Sequence, residues 1–229
     1  MIFSSAEFLY VFLPTVWLGF MLLRCTAQRS DLLVLWLLSA SFVFYARWEV
    51  SDLVLLLAVI AANFGAAKAG HRFRSRGFLI AICVANVAVL AVYKYLPWLF
   101  GSASNRVELL DSLPLGISFF IFQIIAFQVD RYRGTTFTYP LHRFALFVSF
   151  FPQLIAGPIV HGRRLLPQLR TLGQRAIPLS LGLSLLSIGL AKKVLLADTL
   201  APGVDALFAQ PVGSDAVHTI AAAVGYGTQ

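Results

Sequence analysis

Phe144-Ala145-Leu146-Phe147-Val148-Ser149-Phe150-Phe151-Pro152-Gln153-Leu154-Ile155-Ala156-Gly157-Pro158-Ile159-Val160-His161-Gly162 is a nineteen-residue run without a single Lys, Arg, Asp or Glu. Its length suits a lipid bilayer, but its composition does not suit one straight helix. Pro152 and Pro158 each lack a backbone N–H and disfavour helix in the residue before them, and Gly157 lies between them. Backbone opened at membrane depth persists only where protein buries it or a polar cavity wets it. The run therefore reads as a re-entrant element over 150–159, with Pro152, Gly157 and Pro158 as its structural breakers. A proline-kinked spanning helix is the alternative.

Six further charge-free runs surround it: Phe8–Leu23, Leu32–Ala46, Leu53–Ala67, Gly77–Tyr93, Ser112–Val129 and Ala176–Ala191, with another opening at Ala216. A spanning helix takes about 17–25 residues, so each of these fills out by drawing on flanking Lys and Arg stems that reach the interface. Of the 229 residues, 59% are hydrophobic and only 12% charged, against about 25% charged in soluble domains. Mean hydropathy is +0.82. A soluble core of this length could not bury that much apolar surface. The fold class is all-α: a polytopic integral membrane helical bundle, one membrane domain over 1–229 with no soluble domain. The residues before the first run carry no positive n-region, and no A-x-A-like cleavage site follows, so that segment is expected to stay as a helix.

The net charge of +8 points to membrane topology and not to nucleic acid, because the cations sit in the short connections. If all seven runs cross, one face holds 11 of the 18 Lys and Arg. If the run at 144–162 dips in and returns, that face holds 13 and the other 5. The second arrangement obeys the positive-inside rule better, and it places the N-terminus outside and the re-entrant element on the cytoplasmic side.

Polar residues within the apolar runs must find partners inside the bundle. Gln123 and Gln128 interrupt the fifth run, and Asn86 stands alone in the fourth. Ser180, Ser184 and Ser187 share a helix face near Gly182 and Gly189, and Ala61, Ala62, Gly65, Ala66 and Ala69 form a comparable surface beside Asn63. Both read first as helix-packing faces. Asp130-Arg131-Tyr132-Arg133-Gly134 closes the fifth run, either as an ordinary charged helix end or as an ion pair at the mouth of an internal funnel. His161 follows the broken element, Arg163 and Arg164 come just after it, and His71 lies among the cations Lys68 to Arg76, a cluster able to touch anionic headgroups. His142 and His218 have no evident partner. Cys25 and Cys83 suit neither a disulfide nor a zinc site. No Gly-rich phosphate loop, G-x-S-x-G elbow, paired carboxylates or metal-ligand constellation is present.

Met1-Ile2-Phe3-Ser4-Ser5-Ala6-Glu7-Phe8-Leu9 with Phe12-Leu13-Pro14, Ser41 to Trp48, Tyr93-Lys94-Tyr95, Leu113 to Phe120 with Phe122-Gln123, Asp130 to Gly134, Phe150 to Ile159, Leu166 to Leu169 and Leu190 to Asp198 form a set of segments. Together they resemble bacterial membrane-bound O-acyltransferases of the alginate O-acetylation type. The similarity runs in order over nearly the whole chain. It implies transfer of acetyl groups to hydroxyls of an exported polysaccharide such as alginate, in the bacterial inner (cytoplasmic) membrane, with periplasmic polysaccharide-modification proteins as partners. The acyl donor, acetyl-CoA or an acyl carrier, is implied as a substrate, with no bound cofactor. Members of the family are about twice this length, and the histidine implicated in acyl transfer lies beyond the position matching Gln229. The chain is thus expected to be the N-terminal half of such an enzyme. On that reading it supplies walls: the broken element with Gln153, the polar face at Gln123, and a rim at Asp130, Arg131 and His161. A polytopic transporter and an inactive membrane scaffold are the alternatives.

Overall fold

In lipid a backbone N–H or C=O has no water to bond, so apolar runs coil into helices that satisfy themselves. The computed structural model describes residues 3–27, 29–72, 75–100, 113–134, 139–154, 157–174, 176–208 and 216–228, all helical or irregular with no strand among them. A π-helical turn at Phe8–Phe12 leads into α1 (Leu13–Ala27), followed by α2 (Ser30–Ala46), α3 (Val50–Arg72), α4 (Arg76–Phe100) and α5 (Ile117–Tyr132). The broken run forms α6 (Leu141–Ser149), α7 (Phe151–Leu154) and, after non-helical chain, α8 (Gly162–Arg170). Then come α9 (Leu179–Ala191), a π-helical stretch (Lys192–Ala197), α10 (Asp198–Phe208) and α11 (Ala216–Thr228). Ile155 and Ala156 of the broken element lie outside the described residues, as do the connections 101–112 and 209–215 and the side chains of His71 and His218.

Among the described residues four helical segments are long and apolar enough to cross a membrane: Phe8–Thr26, Val50–Gly70, Arg76–Tyr95 and Leu179–Phe208. Ser30–Ala46 is apolar but shorter. Two connections turn out helical. The basic stretch expected as a loop from Lys68 is helical through Arg72, and the helix from Leu179 continues past Lys192 and Lys193 to Phe208. In the second case Lys193 pairs with Asp198 across the π-helical stretch, which neutralises both charges within the helix.

The chain divides into two compact units, residues 10–175 and residues 2–9 with 176–229. In the first, α1 and α2 are locked where the Trp36 indole N–H donates to the Val16 carbonyl at 2.9 Å and its ring lies on Gly19, where a Cβ would come within 2.2 Å. The core gathers Phe44, Tyr45, Leu56, Phe120, Ile121, Ile124, Phe144 and Phe147, all buried. On α3 the buried face is Leu56, Val59, Ile60, Asn63 and Ala67; of the small residues expected to pack, Ala61, Ala62 and Gly65 are exposed and Ala66 and Ala69 half-buried. In the second unit α10 packs on α11, where a Cβ on Gly225 would meet Val204 Cγ2 at 2.7 Å and Phe208 meets Tyr226 edge to face. The Ser180–Ser184–Ser187 face of α9 is exposed, so its expected packing is not realised among the described residues.

The broken run goes into the first unit and comes back to the end it entered. At its start, Arg143 and His142 bind Asp31 at the beginning of α2 (2.7 and 2.9 Å). Ten residues further along α2, about 15 Å, Ser41 Oγ accepts the Phe151 N–H at 3.2 Å. At the tip, Leu154 lies against Gly116, where α5 begins. The non-helical chain from Gly157 then returns to His161, which meets Asp130 near the far end of α5. Over 141–161 the chain is thus broken and doubles back instead of running on as one straight helix. Pro152 sits in the first turn of α7, where its missing N–H is no loss, and a Cβ on Gly157 would fall 2.7 Å from the Gln153 carbonyl oxygen.

Gly116 is left-handed (φ 69°) with the Leu154 carbonyl oxygen 2.5 Å from where a Cβ would be. Gly116→Ala is expected to cost about 2 kcal/mol or more, read as a lowered melting midpoint in detergent. Gly65→Ala, which meets nothing within 4 Å, is expected to cause no loss.

Candidate functional site

A helix that stops inside a bundle leaves its last four carbonyls and the next helix's first N–H groups without partners. Here the neighbouring helices supply them. Gln123 Nε2 on α5 donates to the Phe147 carbonyl at 2.7 Å, one of the last carbonyls of α6. Ser149 Oγ donates to the Ala145 carbonyl, and the Phe151 N–H goes to Ser41. Gln153 Nε2 donates to the Pro158 carbonyl at 3.3 Å, tying the two sides of the tip together. Leu115, before Gly116, is clamped twice: Tyr45 Oη donates to its carbonyl at 2.8 Å, and its N–H points to Asp52 Oδ2 at 3.4 Å.

Alongside lies a buried amide cluster. Asn63 and Asn86 exchange hydrogen bonds at 2.9 and 2.8 Å, and Gln128 Nε2 donates to the Asn63 carbonyl at 2.9 Å. Asn86, isolated in the sequence, thus joins α4 to α3 and through Gln128 to α5.

Near the C-terminal end of α5, Asp130 Oδ2 lies 3.1 Å from His161 Nδ1; the carboxylate is buried and the imidazole side chain 45% exposed. Gly162 packs its Cα on Phe127, where a Cβ would come within 2.8 Å, and so seats His161. Arg131, the neighbour of Asp130, makes no ion pair among the described residues and instead lines a cleft with Lys68 and Tyr139. The His142 hydrogen bond and then Arg143 hold the Asp31 carboxyl below the usual carboxylate range. Arg24 Nε donates to the Gly173 carbonyl at 3.1 Å at the same end. Among the described residues no three His, Cys, Asp or Glu lie close enough to share a metal ion.

Of the residues singled out from sequence, Asp130 and His161 meet directly, Gln123 and Gln153 each hold one part of the broken element, and Arg131 lies apart. Ser41, Tyr45 and Asp52 were not singled out as site residues. The rule that a polar group in an apolar run needs a partner, applied to Ser41 and Tyr45, finds two of them. Chemically, a carboxylate that accepts from Nδ1–H leaves Nε2 as the basic nitrogen; the rest of the constellation binds backbone and shapes a wall.

These features define a polytopic helical membrane protein built around a re-entrant hairpin. The chain is 34% identical over 238 residues to the peptidoglycan O-acetyltransferase of Helicobacter pylori, covering 88% of this chain and 45% of that protein. It is 36% identical to the probable alginate O-acetylase AlgI of Pseudomonas aeruginosa (94% of this chain, 44% of that protein) and 36% identical to that of Azotobacter vinelandii (94% and 46%). Over most of its own length the chain is thus similar to bacterial proteins named as O-acetylating enzymes. It spans just under half the length of the curated relatives it matches. No family model and no solved structure matches the chain.

The amide cluster makes a specific forecast. Asn86→Leu strands the Asn63 amide in apolar surroundings and is expected to cost about 1–3 kcal/mol. Asn63→Leu with Asn86→Leu is expected to recover part of that loss, because both buried amides are then gone. Thermal melting of the two variants in detergent checks the order.

Proposed function

We propose that this chain forms part of an enzyme that transfers acetyl groups to hydroxyls of an exported polysaccharide. The observation that carries the reading is its 34–38% identity, over most of its length, to proteins named for that chemistry. An acyl donor on the cytoplasmic side and a polymer hydroxyl on the other must meet within a protein-lined passage through the bilayer. The general base for the hydroxyl is the histidine that the resemblance implies beyond Gln229, whose ordinary pKa lies near working pH.

In this reading the hairpin walls the passage. Gln123 and Gln153 hold its shape, and Pro152, Gly157 and Pro158 give it its bends. Asp130 acts as a positioning residue that fixes His161 at the rim, with Arg131 beside it. The whole of 1–229 works as one membrane domain. The donor is a diffusible acyl carrier such as acetyl-CoA, the acceptor an alginate-like or peptidoglycan-like polymer, and periplasmic polysaccharide-modification proteins receive or present it. The protein sits in the inner membrane with its N-terminus outside, which puts the end bearing Asp31, Asp130 and most of the cations in the cytoplasm.

The full-length gene product, expressed in a strain deleted for its own polysaccharide O-acetylase, is expected to restore acetyl ester on the exported polymer; a stably inserted protein that yields none overturns the proposal. Residues 1–229 alone are expected to restore none. Asp130→Asn is expected to lower ester content about tenfold at equal membrane abundance, the scale of one charged hydrogen bond.

Orientation has its own test. Exposed Cys25, near the end of α1, is expected to react with a membrane-impermeant thiol reagent in inverted vesicles and to stay unlabelled in intact spheroplasts. The reverse pattern inverts the topology.

A further inference from the structure

The end of the first unit that carries the Asp130–His161 pair also holds a cleft, to which Arg131 of the proposed rim contributes. It is lined by Phe64, Phe127, Phe144, Tyr139, Lys68 and Arg131, and its surface is almost wholly apolar. Lys68 and Arg131 come from the last turns of α3 and α5, so the cleft opens where both helices end. Lys68 Nζ stands 4.8 Å over the Phe64 ring, and neither cation meets a carboxylate among the described residues. Asp130, the acid next in sequence, is engaged by His161. Arg131 is half-buried, with Nη1 3.4 Å from where a Cβ on Gly70 would stand.

Tyr139 is only 7% exposed, and its hydroxyl has no hydrogen-bond partner among the described residues. Leaving such a group unmet in an apolar cleft costs about 1–3 kcal/mol. Burial pushes the Tyr139 phenol above its ordinary range, with Arg170 and the Asp31-bound Arg143 opposing that rise. Two uncompensated cations and an unmet hydroxyl, set among aromatic walls at a helix end, call for an anionic oxygen group that arrives with apolar surroundings.

We propose that the open edge of this cleft binds the phosphate of an anionic phospholipid headgroup, with Arg131 and Lys68 as its cations and Tyr139 as its hydroxyl donor. A lipid is favoured over a soluble phosphate for two reasons. The walls beside the cations are aromatic, and the start of α4 presents Ile80 and Val84, each more than half exposed, as a surface for acyl chains. Basic pockets between spanning helices hold lipid phosphates in this way, each cation contributing about a fivefold gain in affinity.

The test uses the full-length gene product in nanodiscs, with native mass spectrometry counting retained phosphatidylglycerol against phosphatidylcholine. Wild type is expected to retain phosphatidylglycerol selectively. Lys68→Gln and Arg131→Gln are each expected to weaken that retention about fivefold. Tyr139→Phe, which keeps the ring and its packing, is expected to weaken it by a similar factor. Arg133→Gln, which removes an exposed cation from the same helix end without touching the cleft, is expected to change it less than about twofold. Equal retention by wild type and the Lys68 and Arg131 variants overturns the site. Displacement of the lipid by inorganic phosphate or coenzyme A overturns the lipid assignment in favour of a soluble ligand. Far-ultraviolet helicity matching wild type in each variant ensures that a loss is local.

Discussion

A backbone that breaks in a medium without water must have its freed N–H and C=O groups met by protein, and the first unit is arranged around doing so. The interruption near Phe150 exposes a carbonyl on Phe147 and an N–H on Phe151. Gln123 and Ser41, on two different helices, meet them. Each contact contributes about 1 kcal/mol net, but leaving either group unmet would cost more than that. The positions of α2 and α5 are therefore tied to the hairpin they enclose, and the aromatic core of Phe44, Phe127, Phe144 and Phe151 fills the space that those bonds define.

Much of this could be read from the chain. The two prolines and the glycine of the broken run foretold its return, because their chemistry is local: no N–H at two sites, no Cβ at one. The uneven distribution of Lys and Arg pointed the same way. Gln123 and Gln128 could be assigned to the interior because an amide in an apolar run has nowhere else to go. What could not be read was pairing. That Asn86 would face Asn63, or that His161 would meet Asp130 rather than solvent alone, depends on helix rotation and separation, which hydropathy does not encode. Helix ends were also obscured. Lys68 and Lys193 read as loop cations because charge marks the ends of apolar runs, yet a long aliphatic stem, an aromatic ring or a neighbouring carboxylate lets the helix carry the charge onward. The small-residue faces of α3 and α9 were read as packing surfaces from composition alone, and composition does not say which side of a helix has a neighbour.

The relationship to O-acetyltransferases and the geometry speak to different levels. Sequence identity identifies the chemistry of the relatives. The geometry identifies which side chains hold the broken element in place. Asp130 belongs to both, being part of a segment that resembles the family and of an ion pair that fixes the end of the hairpin.

The hairpin is fastened at its base by Asp31 and Asp130, at its waist by Ser41 and Gln123, and at its tip by the contact of Leu154 with Gly116. An element held at three heights cannot swing as a gate without breaking several buried bonds together, a cost of several kcal/mol. It is a fixed strut, stiff along with α2 and α5. A large movement in this unit would therefore have to come from parts not tied to the hairpin.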